Sequence, residues 1–242
     1  MSFAPPTPGV AVASAFQRDG FVILPPLLAE DECEQLAVEL SKLLGVQQKA
    51  SRNKLGGLRN LLRICPPVGA LAASPKITDW LECLLGRTVF PVRALFFDKT
   101  AASNWWVPWH QDLTIAVAQK VECQGFEGWS LKTGIPHVQP PAVILEGMLA
   151  LRFHLDDCTA ANGALRVIPC SHLGGKLLPA AIARMVATSP EVVCEIPRGG
   201  AMAMRPLLLH ASSPARHPAH RRVLHIEYAT TELGGGLKWF DA

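Results

Sequence analysis

Hydrophobic positions recur at helical spacing in the first third of the chain. Over Glu30–Leu44 the apolar residues fall on one helical face, acidic residues occupy the first turn, and Gly45 follows the last turn. Over Pro75–Leu85 a second apolar stripe follows Ser74, a residue type that is common at the N-cap. The pattern predicts two amphipathic helices over these segments and a weaker helix over Pro179–Ala187.

After residue 87 the apolar residues occur in short runs that prolines and glycines separate. The chain has 20 prolines and 19 glycines, which is typical of many short strands joined by turns. Besides a short strand at 20–25, the predicted strands are Thr88–Lys99, Ala142–Leu155, Leu165–Pro169, Val192–Ile196, Ala201–Leu209 and Arg222–Tyr228. This order of helices and strands favours an antiparallel sandwich or barrel with helices packed outside.

No internal repeat and no low-complexity linker divides the 242 residues. We therefore expect a single domain over 1–242. Its parts are a loose segment at 1–14 that is rich in proline and alanine, a helix-rich part at 15–87, a β core at 88–230, and a C-terminal tail at 231–242.

Composition excludes several classes of protein. The longest apolar stretch, 141–155, contains Glu146 and Arg152, so it is no membrane span, and the N-terminus lacks the regions of a secretory signal. The net charge of +3 forms no basic stripe, so nucleic acid is not an expected partner. Seven cysteines without a Cys-x-x-Cys pair argue against a disulfide framework and a thiolate zinc site. We expect a cytoplasmic protein, monomeric or a small homo-oligomer.

A few polar residues in the β part could carry chemistry. His110 and Asp112 lie two apart, so an extended segment points both to one face, and a second histidine would complete the facial triad of non-haem Fe(II) oxygenases. Such a triplet alone is usually a surface feature. His210 ends an apolar run, where a hydrogen-bonded core histidine is the more frequent case. Arg221 or Arg222 would bind a carboxylate if it faced a cavity, although a surface position is more common.

The order and spacing of these residues resemble the phytanoyl-CoA dioxygenase family. A His-x-Asp triplet is followed about a hundred residues later by a histidine, and eleven residues after it by an arginine. The segments 16–22 and 155–172 are also similar to stretches of that family, so the resemblance runs from about residue 16 to 230. It implies a mainly β fold with flanking helices and a double-stranded β-helix core, a jelly-roll of cupin-like form.

The resemblance also implies cofactors and residue roles. His110, Asp112 and His210 match the Fe(II) ligands of the family. Arg221, rather than its neighbour, matches the arginine that binds the distal carboxylate of 2-oxoglutarate, and Ser212 matches a hydroxyl that helps to hold it. O₂ is the other cosubstrate, and no side chain needs to act as an acid or base. The intact carboxylate at Asp112 implies hydroxylation or another oxidation rather than halogenation.

Two positions depart from the family pattern. The usual Pro-Gly-Ser-His is here Pro169-Cys170-Ser171-His172, and Ala215 stands where an asparagine is common. Neither position is a metal ligand. The departures concern the local turn geometry and the wall on the substrate side of the site.

Further candidates come from segments to which the resemblance assigns no role. Lys99 and Arg93, on the strand before the triplet, are candidate contacts to 2-oxoglutarate. The tryptophans near the triplet could equally be packing residues. The long 119–141 segment has the length of a lid, and 51–60 is polar and rich in glycine. The candidates for the substrate pocket are Trp109, Trp129, Lys132, Arg59 and Asn60.

We therefore predict an Fe(II)- and 2-oxoglutarate-dependent dioxygenase that hydroxylates a small molecule and releases succinate and CO₂. Apart from Arg216, Arg221 and Arg222 the sequence shows no dense basic cluster, which favours a free metabolite or natural-product intermediate over an acyl-CoA. Two alternatives stay open. The same cofactors could give desaturation or cyclisation, or the chain could be a non-catalytic jelly-roll that binds a metal or ligand.

Overall fold

Antiparallel sheets dominate the structure, a computed structural model that describes residues 9–50 and 57–241. The strands are β1 Phe21–Leu24, β2 Gly57–Leu58, β3 Phe90–Lys99, β4 Val107–His110, β5 Ile115–Ala116, β6 Glu127–Lys132, β7 Ile135–Gln139, β8 Leu149–His154, β9 Leu165–Val167, β10 Val192–Cys194, β11 Ala201–Met204, β12 His210–Ser212 and β13 Arg221–Ala229. The helices are α1 Val10–Asp19, α2 Glu30–Ala50, α3 Leu61–Ile64, α4 Pro66–Ala72, α5 Pro75–Leu85, α6 Ala142–Glu146 and α7 Pro179–Thr188.

Two of the sheets face each other across a cavity. The larger has the order β1-β11-β8-β13-β3-β2, and the smaller has the order β10-β9-β12-β4. Side chains from both sheets meet between them: Lys99 on β3 donates a hydrogen bond to Ser212 Oγ on β12 at 2.8 Å. This arrangement is the double-stranded β-helix with flanking helices that the sequence led us to expect.

The helices cover the outer face of the six-stranded sheet. Along β8, Leu149, Leu151 and Phe153 point outward into one apolar core that α1, α2 and α5 share. The alternate residue Ala150 points inward, into a second core between the two sheets. This two-residue period is the geometric consequence of an extended backbone, and it leaves the inward positions of the large sheet free to build the cavity.

The predicted lid segment forms a third sheet of order β5-β7-β6. The hairpin of β6 and β7 lies within residues 119–141 and packs on an apolar cluster that includes Ile115 and Val138. Residues after 230 belong to the same cluster, because Leu237 and Trp239 are buried in it. Within the described ranges, no helix is long and apolar enough to cross a membrane.

The structure differs from the predicted elements at several places. Residues 10–14 are helical rather than loose, because α1 buries Phe16 and Gln17 donates a hydrogen bond to Leu84 O at 2.7 Å. Helix α2 continues through Gly45, since one glycine costs a helix only about 1 kcal/mol.

The strands predicted over 142–155 and 201–209 are also shorter than expected. The first begins as helix α6, because a continuous apolar run fits a buried helix as well as a strand. The second ends at Met204, and Pro206, which lacks an N–H for a sheet ladder, lies in the turn that follows.

Cys170, which stands where the family usually has glycine, adopts an unusual backbone conformation. Cys170 is exposed and has a φ of 64°, in the left-handed region that suits glycine, the residue usual in the family at this position. Its N–H donates to Asp19 O at 3.0 Å, so the turn keeps this conformation in spite of the side chain.

We expect Cys170→Gly to be more stable than Cys170→Ala by about 1 kcal/mol, because only glycine adopts this φ without steric cost. Both substitutions remove the same thiol, so their difference isolates the backbone term. Urea unfolding of the two proteins measures it. Equal stabilities would show that the turn is not strained.

Candidate metal centre

Two histidines meet across a pair of strands in the smaller sheet. His110 is the last residue of β4 and His210 is the first of β12, and the two are direct partners in the antiparallel register. Their ring centroids are 4.1 Å apart. Asp112 lies two residues beyond His110, and its N–H donates to Pro206 O at 2.9 Å, which fixes the backbone beside the histidine pair.

Backbone carbonyls set the orientation of both imidazoles. His110 Nδ1 lies 2.8 Å from Pro108 O, and His210 Nδ1 lies 2.9 Å from Leu208 O. Because a carbonyl only accepts hydrogen bonds, each Nδ1 carries a proton, so Nε2 is the nitrogen through which either imidazole could bind a metal. These Nε2 atoms face the Asp112 carboxylate at 3.8 and 3.6 Å. The ligand atoms of all three residues lie within 4.8 Å of one another, so the group could hold a metal ion.

The charges of the three residues also suit a divalent cation. Burial lowers the pKa of His210 to about 4, so its imidazole is neutral at physiological pH. Burial acts to raise the pKa of Asp112, but the Coulombic effect of His210 and of other nearby basic groups outweighs it and holds this pKa at about 2. Two neutral nitrogens and one carboxylate are the donor set of non-haem Fe(II) sites.

Gln111, between two of the candidate ligands, anchors this segment. Its side chain is buried and donates to Leu207 O at 2.7 Å and to Gly175 O at 2.8 Å. Its Oε1 accepts a hydrogen bond from Leu177 N at 2.8 Å. Three hydrogen bonds to separate backbone groups therefore hold the turn from which His110 and Asp112 project.

A basic group lies on the β12 side of the histidine pair. Lys99, Ser212 and Arg221 are all buried, and Lys99 Nζ donates to Ser212 Oγ and Ser213 O at 2.8 and 2.7 Å. Arg221 donates to Gly163 O at 3.2 Å, but its Nε is buried and has no partner among the described residues. Burial, helped by Arg221, lowers the pKa of Lys99 to about 8. A buried arginine with an unmatched donor fits an anionic ligand.

Arg222 points away from this group. It binds Asp156 through two side-chain hydrogen bonds of 2.9 and 2.6 Å on the other face of β13. The strand alternation therefore places Arg221 in the cavity and Arg222 outside it.

A cavity of about 440 Å³ connects the three candidate ligands with strands β3, β8 and β13 of the large sheet. A larger groove of about 660 Å³ lies along α2, but its lining contains none of the three. The smaller cavity has lining residues that sequence reasoning missed, Arg152, His225, Glu227 and Thr114, and it is also lined by Trp105, one of the tryptophans near the triplet. The alternation along β13 could have found two of them, because His225 and Glu227 follow Arg221 at even spacing.

Three predicted substrate residues do not line the cavity. Trp109 neighbours His110 in an extended strand and so points elsewhere, under the Arg166 guanidinium. Trp129 packs on the cluster of the third sheet, and Asn60 stands at the N-cap of α3. Arg59 and Lys132 do line the cavity, whereas residues 51–56 of the predicted polar loop lie outside the described residues.

Arg93 makes its contacts at a different place from Lys99 and Arg221. It lies six residues from Lys99 on β3 and pairs with Glu227 at 3.3 Å. Its guanidinium also donates to Thr114 O at 3.4 Å, two residues beyond Asp112. That Arg93 contacts 2-oxoglutarate stays a prediction, although its partners lie on the Thr114 side of the cavity that it shares with Lys99.

Comparison with known proteins places the chain in a family. A model of the phytanoyl-CoA dioxygenase (PhyH) family matches residues 16–223. The chain belongs to this family. Ectoine dioxygenase of Sphingopyxis alaskensis is 25% identical in an alignment of 169 positions, which covers 66% of this PhyH-family chain and 48% of the relative. L-Proline trans-4-hydroxylase of Streptomyces griseoviridis is 26% identical in an alignment of 247 positions, gaps included, which covers 88% of this chain and 83% of that enzyme.

Solved structures show the same fold. The crystal structure of EctD from S. alaskensis with 2-oxoglutarate and 5-hydroxyectoine superposes with a TM-score of 0.71 at 21% identity. The superposition covers 92% of this PhyH-family chain and 76% of that one, which confirms the predicted jelly-roll. The chain spans about half the length of the ectoine dioxygenases that it matches in sequence.

We expect Gln111→Met to weaken the binding of a divalent metal by about 10-fold or more, because partners that orient ligands have effects of this size. The substitution keeps the length of the side chain and removes its three hydrogen bonds. Anaerobic titration with Fe(II) measures the affinity.

Leu81→Ala, a cavity-forming change in the buried face of α5, is the matched control for general destabilisation. It should lower stability and leave metal affinity intact. Wild-type metal affinity in Gln111→Met would mean that Gln111 supports the fold alone.

Proposed function

We propose that this chain is an Fe(II)- and 2-oxoglutarate-dependent dioxygenase that hydroxylates a small molecule. The observation that carries the proposal is the convergence of two oriented imidazoles and a carboxylate on one point of the cavity, beside a buried arginine with an unmatched donor. Membership of the PhyH family supports it.

In this proposal His110, Asp112 and His210 hold the iron. Their donor set fits Fe(II), and three protein ligands leave positions open for other molecules. The bound iron, with 2-oxoglutarate and O₂, supplies the oxidising chemistry and releases succinate and CO₂. The carbonyls that hold each Nδ1 fix the imidazoles before the metal arrives, which lowers the entropic cost of binding.

Arg221, Ser212 and Lys99 would hold the distal carboxylate of 2-oxoglutarate. All three are buried, they are joined through Ser212 and Gly163, and two of them are positively charged. Ser212 lies two residues from His210 on β12, so this anion site is fixed to the metal site by a single short strand. A carboxylate there would satisfy Arg221 Nε.

The remaining task of the protein is to position one C–H bond of the substrate and to exclude water. The cavity of about 440 Å³ lies between the two sheets, and the third sheet contributes Lys132 to its wall. No side chain is required as an acid or base. The names of the relatives, a dioxygenase of ectoine and a hydroxylase of proline, support hydroxylation over desaturation, cyclisation or a non-catalytic role.

A cytoplasmic location stays part of the proposal. Its support is that no two cysteines of the described residues form a disulfide and that four cysteines are buried, as in proteins of reducing compartments.

The metal assignment predicts that Asp112→Ala lowers bound iron at least 10-fold and abolishes 2-oxoglutarate turnover, because it removes the one anionic ligand. Metal analysis and succinate release under O₂ measure the two effects. The anaerobic wild-type protein with Fe(II) and 2-oxoglutarate should show a weak visible charge-transfer band.

Asp79→Ala, which removes an exposed carboxylate from α5, is the control and should retain iron and turnover. Wild-type iron content in Asp112→Ala would refute its role as a ligand. Absence of both the band and succinate in the wild type would refute the dioxygenase itself.

The adjacent residues Arg221 and Arg222 on β13 provide a test and a matched control for the proposed cosubstrate site. We expect Arg221→Gln to weaken 2-oxoglutarate binding by about 10-fold or more, because it removes a charge-assisted hydrogen bond donor from the cavity. Arg222→Gln, which changes only the pair with Asp156 on the outer face, should bind it normally. Titration of the visible band measures both affinities, and an equal effect of the two substitutions would contradict the assignment.

A further inference from the structure

The cavity of the proposed active site carries more positive charge than its proposed contents need. Among the described residues, its lining includes six cationic side chains and two carboxylates. These cationic residues are Arg59, Arg93, Lys99, Lys132, Arg152 and Arg221. Fe(II) and the 2-oxoglutarate dianion cancel each other, so an excess of four positive charges faces the space left for the substrate.

The cations at the two ends of the cavity flank the candidate metal ligands. On one side, Lys99 donates a hydrogen bond to Ser212, which lies two residues after His210 on β12. On the other side Arg93 and Lys132 both bind Thr114, which is two residues beyond Asp112. Lys99 and Arg93 are six residues apart on β3, a distance of about 20 Å along an extended strand. Because Lys99 is hydrogen-bonded to Ser212 and Arg93 to Thr114, the two cations occupy separate ends of the cavity.

The carboxylates among the described residues do not fully neutralise the cations near Thr114. Glu227 pairs with Arg93 at 3.3 Å and also faces His225 at 3.4 Å. Lys132 Nζ has the neutral Thr114 hydroxyl as its partner at 3.0 Å, and Arg59 donates no hydrogen bond to a described residue. Burial and then the neighbouring Arg93 lower the pKa of both Arg59 and Lys132, as expected for like charges held close together.

Like charges held together in a partly buried wall are unfavourable unless an anion joins them. The strands hold these residues here, since Arg59 follows β2, Arg93 lies on β3 and Lys132 ends β6. The arrangement is therefore built into the sheets rather than made by mobile surface side chains.

We propose that Arg59, Lys132 and Arg93 bind an acidic group of the substrate, on the side of the metal ligands opposite to 2-oxoglutarate. This inference rests on the proposed function and adds a substrate class to it: a small acid whose carboxylate or phosphate is held at this end while a C–H bond lies near Asp112. The cavity volume of about 440 Å³, shared with 2-oxoglutarate, restricts the acid to a small molecule.

The test uses three pairs of probes that differ in the acidic group: benzoate and benzamide, L-proline and L-prolinamide, and phenyl phosphate and phenol. Each is titrated into the anaerobic protein with Fe(II) and saturating 2-oxoglutarate. We expect the acidic member of at least one pair to bind about 10-fold or more tightly than its neutral partner. Comparison of the two carboxylate pairs with the phosphate pair shows whether the site prefers a carboxylate or a phosphate.

Arg59→Gln and Lys132→Gln locate the site. Each should reduce the preference for the acid about 10-fold while the visible band with 2-oxoglutarate still forms. Lys120→Gln is the matched control, because Lys120 is an exposed cation that pairs with Glu122 near the third sheet and does not line the cavity. It should keep the full preference.

The proposal is overturned if no acid is preferred, or if both cavity variants keep the preference. The metal is not needed for this cluster, so the titrations are repeated on the metal-free protein. Loss of the visible band in the wild type, with an acid preference that Arg59→Gln abolishes, would refute the dioxygenase and leave the anion site standing.

Discussion

The pairing of His110 with His210 across two antiparallel strands is the interaction on which the site depends. Direct cross-strand partners have their side chains close together on one face, and here each ring is also held by a carbonyl two residues earlier in the chain. The proposed anion site at Ser212 lies two residues after His210, and the turn at Asp112 lies two residues after His110. A shift of one residue in register would move one imidazole to the other face of the sheet and separate the candidate ligands.

The two faces of the large sheet have different environments, because the outer face packs against helices and the inner face lines the cavity. Outward residues of β8 and β13 pack under the helices, which stabilises the sheet by burial of apolar surface. Some inward residues of the same strands are charged, and Arg221 and Arg222 show that a shift of one position along the strand moves a side chain from the cavity to the outer face. The apolar outer core therefore supports a sheet whose inner face lines the polar cavity.

The proposed cosubstrate site and the proposed substrate site both depend on positive charge. Each end of the cavity contains cations that the carboxylates of the described residues do not fully neutralise, and the candidate metal ligands lie between them. Such a wall is stabilised when anions bind, and the positions of the cations then decide how the anions are oriented. In this arrangement recognition of both molecules uses the same physical interaction.

The sequence by itself determined the features that depend on local spacing. The two-residue separation of His110 and Asp112, the eleven-residue gap from His210 to Arg221, and helix α5 are all properties of short segments. Tertiary structure alone decided which cations share a cavity. Arg59, Lys132 and Arg152 are far apart in the chain, and their meeting depends on strand order and register, which no local pattern encodes. For the same reason the overall charge of +3 gave no sign of the basic interior.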